Sequence, residues 1–272
     1  MKLIFIDIDG TLTPAGENTP PDSAVQAIRG AQKAGNKVFL CTGRNYDMLS
    51  PVLKYGFDGI VGSSGGYVTY GDEVLFDCPM TDRQRDIALQ SLHESGVFCT
   101  IEAKDGSFGD SDLNDFLKDQ PEGNSEIERW RKALSSSLGI RPMEEYDGSP
   151  IYKVVVMCQT MDQLDKANSL LEDQFEFCMQ EVPAHGCVNG ELINRRFDKG
   201  KGVLKVCERL KVPVSDTVGF GDSMNDEAMI RVVGTSVCMD NGAQSLKEIC
   251  DLVCPAVQDD GLAWAFDRLG LR

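Results

Sequence analysis

The stretch Leu3-Ile4-Phe5-Ile6 is apolar without interruption, resumes at Ile8, and runs into two carboxylates, Asp7 and Asp9. A strand that is apolar on both faces has to be covered on both, the condition of a parallel sheet with helices on either side. Alternate residues of a strand share a face, so Asp7 and Asp9 are expected to project together. At an effective dielectric near 20, two like charges about 4 Å apart repel by roughly 4 kcal/mol. A bound cation, a raised pKa or exposure to water would offset that repulsion. An EF-hand loop also begins Asp-x-Asp, but here Leu12 stands at its turn glycine, Asn18 at its closing Glu, and a strand rather than a helix precedes it.

The rest of the chain supplies the covering layers. After a polar stretch containing Pro20 and Pro21, Val25, Ile28 and Ala31 mark one face of a helix that stops at Gly35. KVFLC (37–41) reads as a second buried strand, TGRN and a short helix follow, with Pro51 expected to kink or delay it, and FDGIVGSS gives a third strand. This alternation predicts a doubly wound α/β core, in which ligands bind beyond the carboxyl ends of the strands. YVTYGDEVLF (67–76) reads as a hairpin turning at Gly71-Asp72. From about residue 83 the pattern changes to an α+β insert, with strands VFCTIEA and IYKVVVM, and the βα rhythm returns near residue 199. The expected organisation is a core of 1–82 and 187–272 interrupted by an inserted domain of 83–186.

Composition narrows the function. Lys and Arg number 27 against 43 Asp and Glu, a net charge of -16, which disfavours nucleic acid or an anionic membrane as partner. The N-terminal apolar run reaches Asp7 at once, too short for a signal peptide or a membrane span, so a cytoplasmic protein is expected. Ten cysteines at irregular spacing read as small buried hydrophobes rather than a disulfide framework. The chain has two histidines, His93 and His185; a zinc site at Cys250 and Cys254 is not expected, and His185 reads as a surface residue.

Four polar clusters fall at the same edge of the expected sheet: Asp7 and Asp9 after the first strand, Thr42 after the second, Lys199 opening a late helix, and GDSMND (221–226) after TVGF. DIDGTLT, Thr42-Gly43-Arg44, Lys199-Gly200 and GDSMND, in that order, resemble the four signature motifs of the haloacid-dehalogenase-like hydrolases. The insert between the second and third motifs resembles the α/β cap of the Cof-type subclass, IIB. The likeness covers essentially the whole chain.

This resemblance implies a Rossmann-like core with a cap, a Mg²⁺ cofactor, and a small phosphorylated metabolite as substrate. It makes Asp7 the nucleophile that forms an aspartyl phosphate and Asp9 the general acid and base. Mg²⁺ would be held by Asp7, the main-chain carbonyl of Asp9 and Asp222, with Asp226 supporting its water shell, which answers the repulsion at the first strand. Thr42, Gly43, Lys199 and Asn225 would hold the phosphate oxygens. Many relatives carry Asn-Gly after the third strand, where this chain has Ser63-Ser64-Gly65-Gly66. A phosphomutase sharing the aspartyl phosphate and a catalytically silent metabolite sensor are the competing readings. A signalling receiver domain is disfavoured by the long insert and by a phosphorylated Asp within the DxD itself.

Overall fold

The computed structural model describes residues 1–113, 139–179 and 188–272. Packing divides the chain into two units: Met1–Arg44, Leu49–Asp77 and Phe197–Arg272 form the first, Asn45–Met48 and Cys78–Arg196 the second. In chain order the strands are β1 (Leu3–Ile6), β2 (Lys37–Cys41), β3 (Gly59–Gly62), β4 (Tyr67–Tyr70) and β5 (Glu73–Asp77). They continue with β6 (Phe98–Ala103), β7 (Gly106–Gly109), β8 (Ile140–Pro142), β9 (Ile151–Cys158), β10 (Phe175–Met179) and β11 (Val188–Asn194). The last three are β12 (Thr217–Gly221), β13 (Thr235–Met239) and β14 (Leu252–Cys254).

The first unit is built on an eight-stranded sheet in the order β14-β13-β12-β1-β2-β3-β4-β5. β14 to β3 run parallel, and the hairpin β4-β5 adds two antiparallel strands at one edge. Alternation along β1 feeds two cores. Ile4 and Ile6 pack with Ala27, Ile28 and Phe266 of the helices Asp22–Lys33 and Gly261–Arg268, while Leu3 and Phe5 pack with Val203, Val206 and Met229 of the helices Lys199–Leu210 and Glu227–Val232. All four β1 side chains are fully buried, each contributing roughly 1.5–3 kcal/mol relative to exposure. The chain leaves β1 outward to β2 and β3 and later returns on its other side through β12, so the strand order reverses at β1, the point at which doubly wound sheets bind ligands.

The second unit is a six-stranded sheet in the order β10-β11-β9-β6-β7-β8, antiparallel except between β7 and β8. Its helices Asp82–Glu94 and Asp165–Leu171 bury Ala88, Leu92, Ala167 and Leu171 against Ile101, Val154, Val156 and Leu192. The division by packing falls at 77/78 and 196/197, where the sequence reading puts it at 82/83 and 186/187. The reason is pairing: β11 is hydrogen-bonded to both β9 and β10 and is therefore part of this sheet.

Local differences from the sequence reading have simple causes. Pro51 stands in the first turn of the four-residue helix Ser50–Leu53, the position where its missing N–H costs nothing, so it starts the helix rather than kinking it. β7, Gly-Ser-Phe-Gly, offers one large apolar residue and gives no alternation to read, yet it pairs with β6. β14 and the helix Gly261–Arg268, not anticipated, close the parallel edge and one core face. Among the described residues no helix is long and apolar enough to cross a membrane, and the nine described cysteines are free. His185 lies outside the described residues.

Asp58 ties the start of β2 to the helix before it, accepting from Val38 N at 2.9 Å, Lys37 Nζ at 2.8 Å and Gln32 Nε2 at 3.0 Å. Burial alone would raise its pKa, but these donors outweigh burial and hold it below the usual carboxylate value. A group whose pKa is lowered on folding stabilises above its unfolded pKa, near 4, and loses that contribution as pH falls through the lower folded value. Asp58→Ala is expected to cost about 1–3 kcal/mol in urea unfolding at neutral pH. The gap between parent and variant should close as the pH is taken below about 4.

Candidate active site

Asp7, Thr42 and Asp222 each directly follow a parallel strand, β1, β2 and β12, and these three strands are adjacent. Asp7 continues the face of Leu3 and Phe5, toward the helix that Lys199 begins. Asp198 caps that helix, its side chain accepting from Lys201 N at 2.7 Å. Gly65 permits the approach of the β3 loop to this cap, since a Cβ there would lie 2.2 Å from Asp198 O and its φ is +99°.

Lys199 is 1% exposed and its ammonium donates to Asp7 Oδ1 at 2.8 Å, Asp226 Oδ1 at 2.6 Å and Asn225 Oδ1 at 3.1 Å. An ammonium has three protons, and protein oxygens take all three. Asp226, fully buried, uses its second oxygen to accept from Asp222 N and Ser223 N at 3.0 and 3.2 Å, so it fixes the turn that carries Asp222. Asn225 Oδ1 also accepts from Ser223 Oγ at 2.9 Å, which leaves its amide NH₂ without a partner among the described residues.

Asp7, Asp222 and Asp226 offer carboxylate oxygens within 4.8 Å of one another. Three carboxylates against one ammonium leave a formal charge of 1 - 3 = -2 in a buried site. The electrostatics register this excess: burial and then the Asp226 charge push Asp222 up to about 7 and hold Asp7 well above the usual carboxylate range despite Lys199. Burial disfavours the Lys199 cation, but Asp226 and Asp7 outweigh it and keep the ammonium charged. Gly10, at φ +81°, lets the β1 loop close on the cluster, because a Cβ there would meet Asp222 Oδ2 at 2.3 Å.

Asp9 belongs to a different set of contacts. β1 ends at Ile6, and the loop beyond it turns back on itself through Leu12 N donating to Asp7 O and Gly10 N to Thr13 O. The shared-face pairing of Asp7 with Asp9 therefore gives way to separate partners. Arg44 forks onto Asp9, Nε to Oδ2 at 2.8 Å and Nη2 to Oδ1 at 2.7 Å, and Gly16 N adds a third bond at 3.3 Å. Burial would raise the Asp9 pKa, and the Arg44 fork outweighs it and holds the carboxyl below its usual value.

Thr42 is buried, and its Oγ1 accepts from Arg44 N at 3.1 Å across the turn made by Gly43. Ser63 N and Ser64 N donate to Arg44 O and Thr42 O, strapping this turn to the end of β3. Ser63 and Ser64 do so with φ of +48° and +57°, a left-handed conformation that costs roughly 1–2 kcal/mol per residue. Sequence reasoning missed Arg44 as a partner of Asp9, and its place directly after Thr42-Gly43 was the available signal. It also missed Thr11, whose Oγ1 bonds Asp222 Oδ1 at 3.2 Å, and Asn241, whose amide donates to Gly10 O at 2.8 Å while accepting from Val257 N. Nothing in the sequence marks Asn241.

A doubly wound parallel sheet with an inserted α+β unit, and an acid cluster around a buried lysine at its switch point, describes a hydrolase of Rossmann-like architecture. Residues 4–266 match the family of haloacid dehalogenase-like hydrolases, and the chain belongs to it. It is 29% identical over 275 residues to YkrA of Bacillus subtilis strain 168, covering 99% of this chain and 98% of the relative. It is 25% identical over 284 residues to the 5-amino-6-(5-phospho-D-ribitylamino)uracil phosphatase YwtE of the same organism, covering 99% and 98%. In fold it is similar to the subclass IIB sugar phosphatase BT4131, with a TM-score of 0.76, 20% identity and coverage of 100% of both chains.

Lys199→Met is expected to destabilise the protein by about 3–5 kcal/mol, because Asp7 and Asp226 lose a buried counter-charge. Adding Asp226→Asn should recover part of the loss, and urea unfolding of both variants measures it.

Proposed function

We propose that this protein is a Mg²⁺-dependent phosphatase that hydrolyses small phosphomonoesters, sugar phosphates or phosphorylated cofactors, through an aspartyl phosphate on Asp7. The observation that carries this reading is the excess of two negative charges among Asp7, Asp222, Asp226 and Lys199 at the switch point of the sheet. Hard carboxylate oxygens with that charge fit a divalent cation of the magnesium class. Asp7, Asp222 and the main-chain carbonyl of Asp9 would hold it, and Asp226, its oxygens already committed, would order the water shell. When bound, the ion supplies positive charge for the phosphoryl group. The names of YwtE and BT4131, a phosphatase of a phosphorylated ribitylaminouracil and a sugar phosphatase, support the substrate class. The free cysteines support a reducing, cytoplasmic location.

The chain's own groups divide the chemistry. Lys199 directs Asp7 through its hydrogen bond and opposes the rise that burial and Asp226 impose on its pKa, so the ionised carboxylate can attack phosphorus while the ester P–O bond breaks. Asp9 gives its proton to the departing alkoxide, then takes one from the water that attacks phosphorus, and the acyl phosphate P–O bond breaks to return Asp7 and release phosphate. The Arg44 fork holds Asp9 in its base form, so Asp9 parts from Arg44 and takes up a proton from solvent before it first serves as acid, and the proton taken from the attacking water re-arms it for the next turnover. Thr42, the Gly43 turn, Lys199 and the amide of Asn225, which has no partner among the described residues, would form the phosphate cradle, with Lys199 sharing one of its committed protons. We assign substrate discrimination to the inserted unit.

A panel of phosphorylated metabolites scored for phosphate release tests the proposal, and isomerised sugar phosphate in place of free phosphate would overturn it. Release should stop in chelator and return with Mg²⁺, while Ca²⁺, larger and of looser geometry, supports it poorly.

The two aspartates should fail differently. Asp7→Asn is expected to abolish both turnover and phosphoenzyme. Asp9→Asn keeps the nucleophile and loses about 10²- to 10⁴-fold in rate, most on esters with poor leaving groups, and accumulates phosphoenzyme from an activated aryl phosphate. Rapid acid quench with intact-mass measurement separates the cases; phosphoenzyme on the Asp7 variant would show the assignment to be wrong.

A further inference from the structure

A second cluster of metal-ligating side chains stands in the inserted unit, built from residues the proposed chemistry does not use. His93 lies in the last turn of the helix Asp82–Glu94, Cys99 is the second residue of β6, and Asp110 directly follows β7. The antiparallel pairing of β6 with β7 sets Asp110 beside Cys99: Asp110 N donates to Cys99 O at 3.0 Å, and Cys99 N donates to Asp110 Oδ2 at 2.7 Å. The helix end reaches the same point, with His93 Nε2 3.0 Å from Asp110 Oδ2. One nitrogen, one sulfur and one carboxylate oxygen then lie within 4.8 Å of one another.

We propose that His93, Cys99 and Asp110 form a three-ligand site for a zinc-class divalent ion, separate from the acid cluster of the core. The donor set decides the metal: thiolate and imidazole suit zinc and cobalt, whereas magnesium takes oxygen. Bond lengths near 2.0–2.1 Å to N or O and about 2.3 Å to S imply ligand–ligand edges of roughly 3.3–3.6 Å in a tetrahedron. The His93–Asp110 edge is already close to that, and the Cys99 thiol, within 4.8 Å of both, would exchange its contact with Val97 O for the ion. Charge also balances, since a thiolate and a carboxylate neutralise a divalent ion, with His93 neutral. Cys99 is fully buried, the Asp110 side chain 19% exposed and the His93 side chain 42% exposed, so an ion would enter past His93 and a water would take the fourth position. Burial, with the Asp110 charge, keeps the metal-free Cys99 thiol protonated. Binding therefore forms a metal–sulfur bond, breaks the S–H bond and releases that proton to solvent. The ion would pin the helix end to the β6-β7 hairpin.

The test uses the full chain, stripped with chelator and held in saturating Mg²⁺ so that the core acids are occupied, then titrated with Co²⁺ at pH 8. One equivalent should produce a thiolate-to-cobalt charge-transfer band in the near ultraviolet, displaced by one equivalent of Zn²⁺ that also raises the thermal midpoint. The band should persist in Asp222→Asn and vanish in Cys99→Ser and in His93→Ala. His93 is a half-exposed helix-end residue, so its variant folds even where Cys99→Ser does not, and its aryl phosphatase activity should match the parent. A parent protein without the band, or a band that survives His93→Ala, would reduce the trio to a hydrogen-bonded helix end and overturn the proposal.

Discussion

A lysine ammonium sealed among Asp7, Asn225 and Asp226 is the constraint around which the core is arranged. Burying one cation is costly unless its partners surround it, and the partners here come from two distant parts of the chain. Asp7 ends the first strand, Lys199 begins a helix nearly two hundred residues later, and Asp226 closes the turn after β12. The ammonium joins them only if the sheet order puts β12 next to β1. Lys199 is thus a tertiary link as well as an electrostatic one, and the close approaches at Gly10 and Gly65 serve the same contact.

The lysine neutralises one of three clustered carboxylates, two buried and one partly buried, and leaves the others unbalanced. Burial first and the Asp226 charge second raise the Asp222 pKa to about 7. A hydrolase of the haloacid dehalogenase-like family acting on a phosphate ester needs positive charge at this place, and a net charge of -16 over the whole chain does not supply it. An acid-rich pocket in an acidic protein makes sense as a holder for a divalent ion, whose binding energy offsets the repulsion. Asp9 stands outside this balance, forked by Arg44 and half-exposed, which suits a group that exchanges protons with solvent and leaving group.

Legibility from the sequence followed the range of the interactions. The both-faces-apolar β1, the βα alternation and the hairpin at Gly71-Asp72 are local patterns, and the fold class could be read from them. The clusters at Asp7, Thr42, Lys199 and 221–226 could be placed at one edge because alternation and strand direction fix where each strand ends. What could not be read was partnership. Arg44 to Asp9, Thr11 to Asp222 and Asn241 to Gly10 depend on loop paths, and Ser63-Ser64 gives no sign of the left-handed strap it forms behind Thr42. In the inserted unit, β7 and the grouping of β11 with β9 and β10 emerge from pairing alone.

The sequence by itself determined the two-faced burial of the sheet, the positions of the acids at strand ends and the family to which the chain belongs, since each is written in contiguous residues. Tertiary structure decided which charges meet. It gave Asp9 a partner of its own in Arg44, gathered Asp222 and Asp226 onto Asp7, and brought His93, Cys99 and Asp110 together from a helix end and two strands. Coulomb and coordination interactions act over a few ångströms, and in a folded chain such distances are set by strand order and loop closure rather than by separation along the sequence.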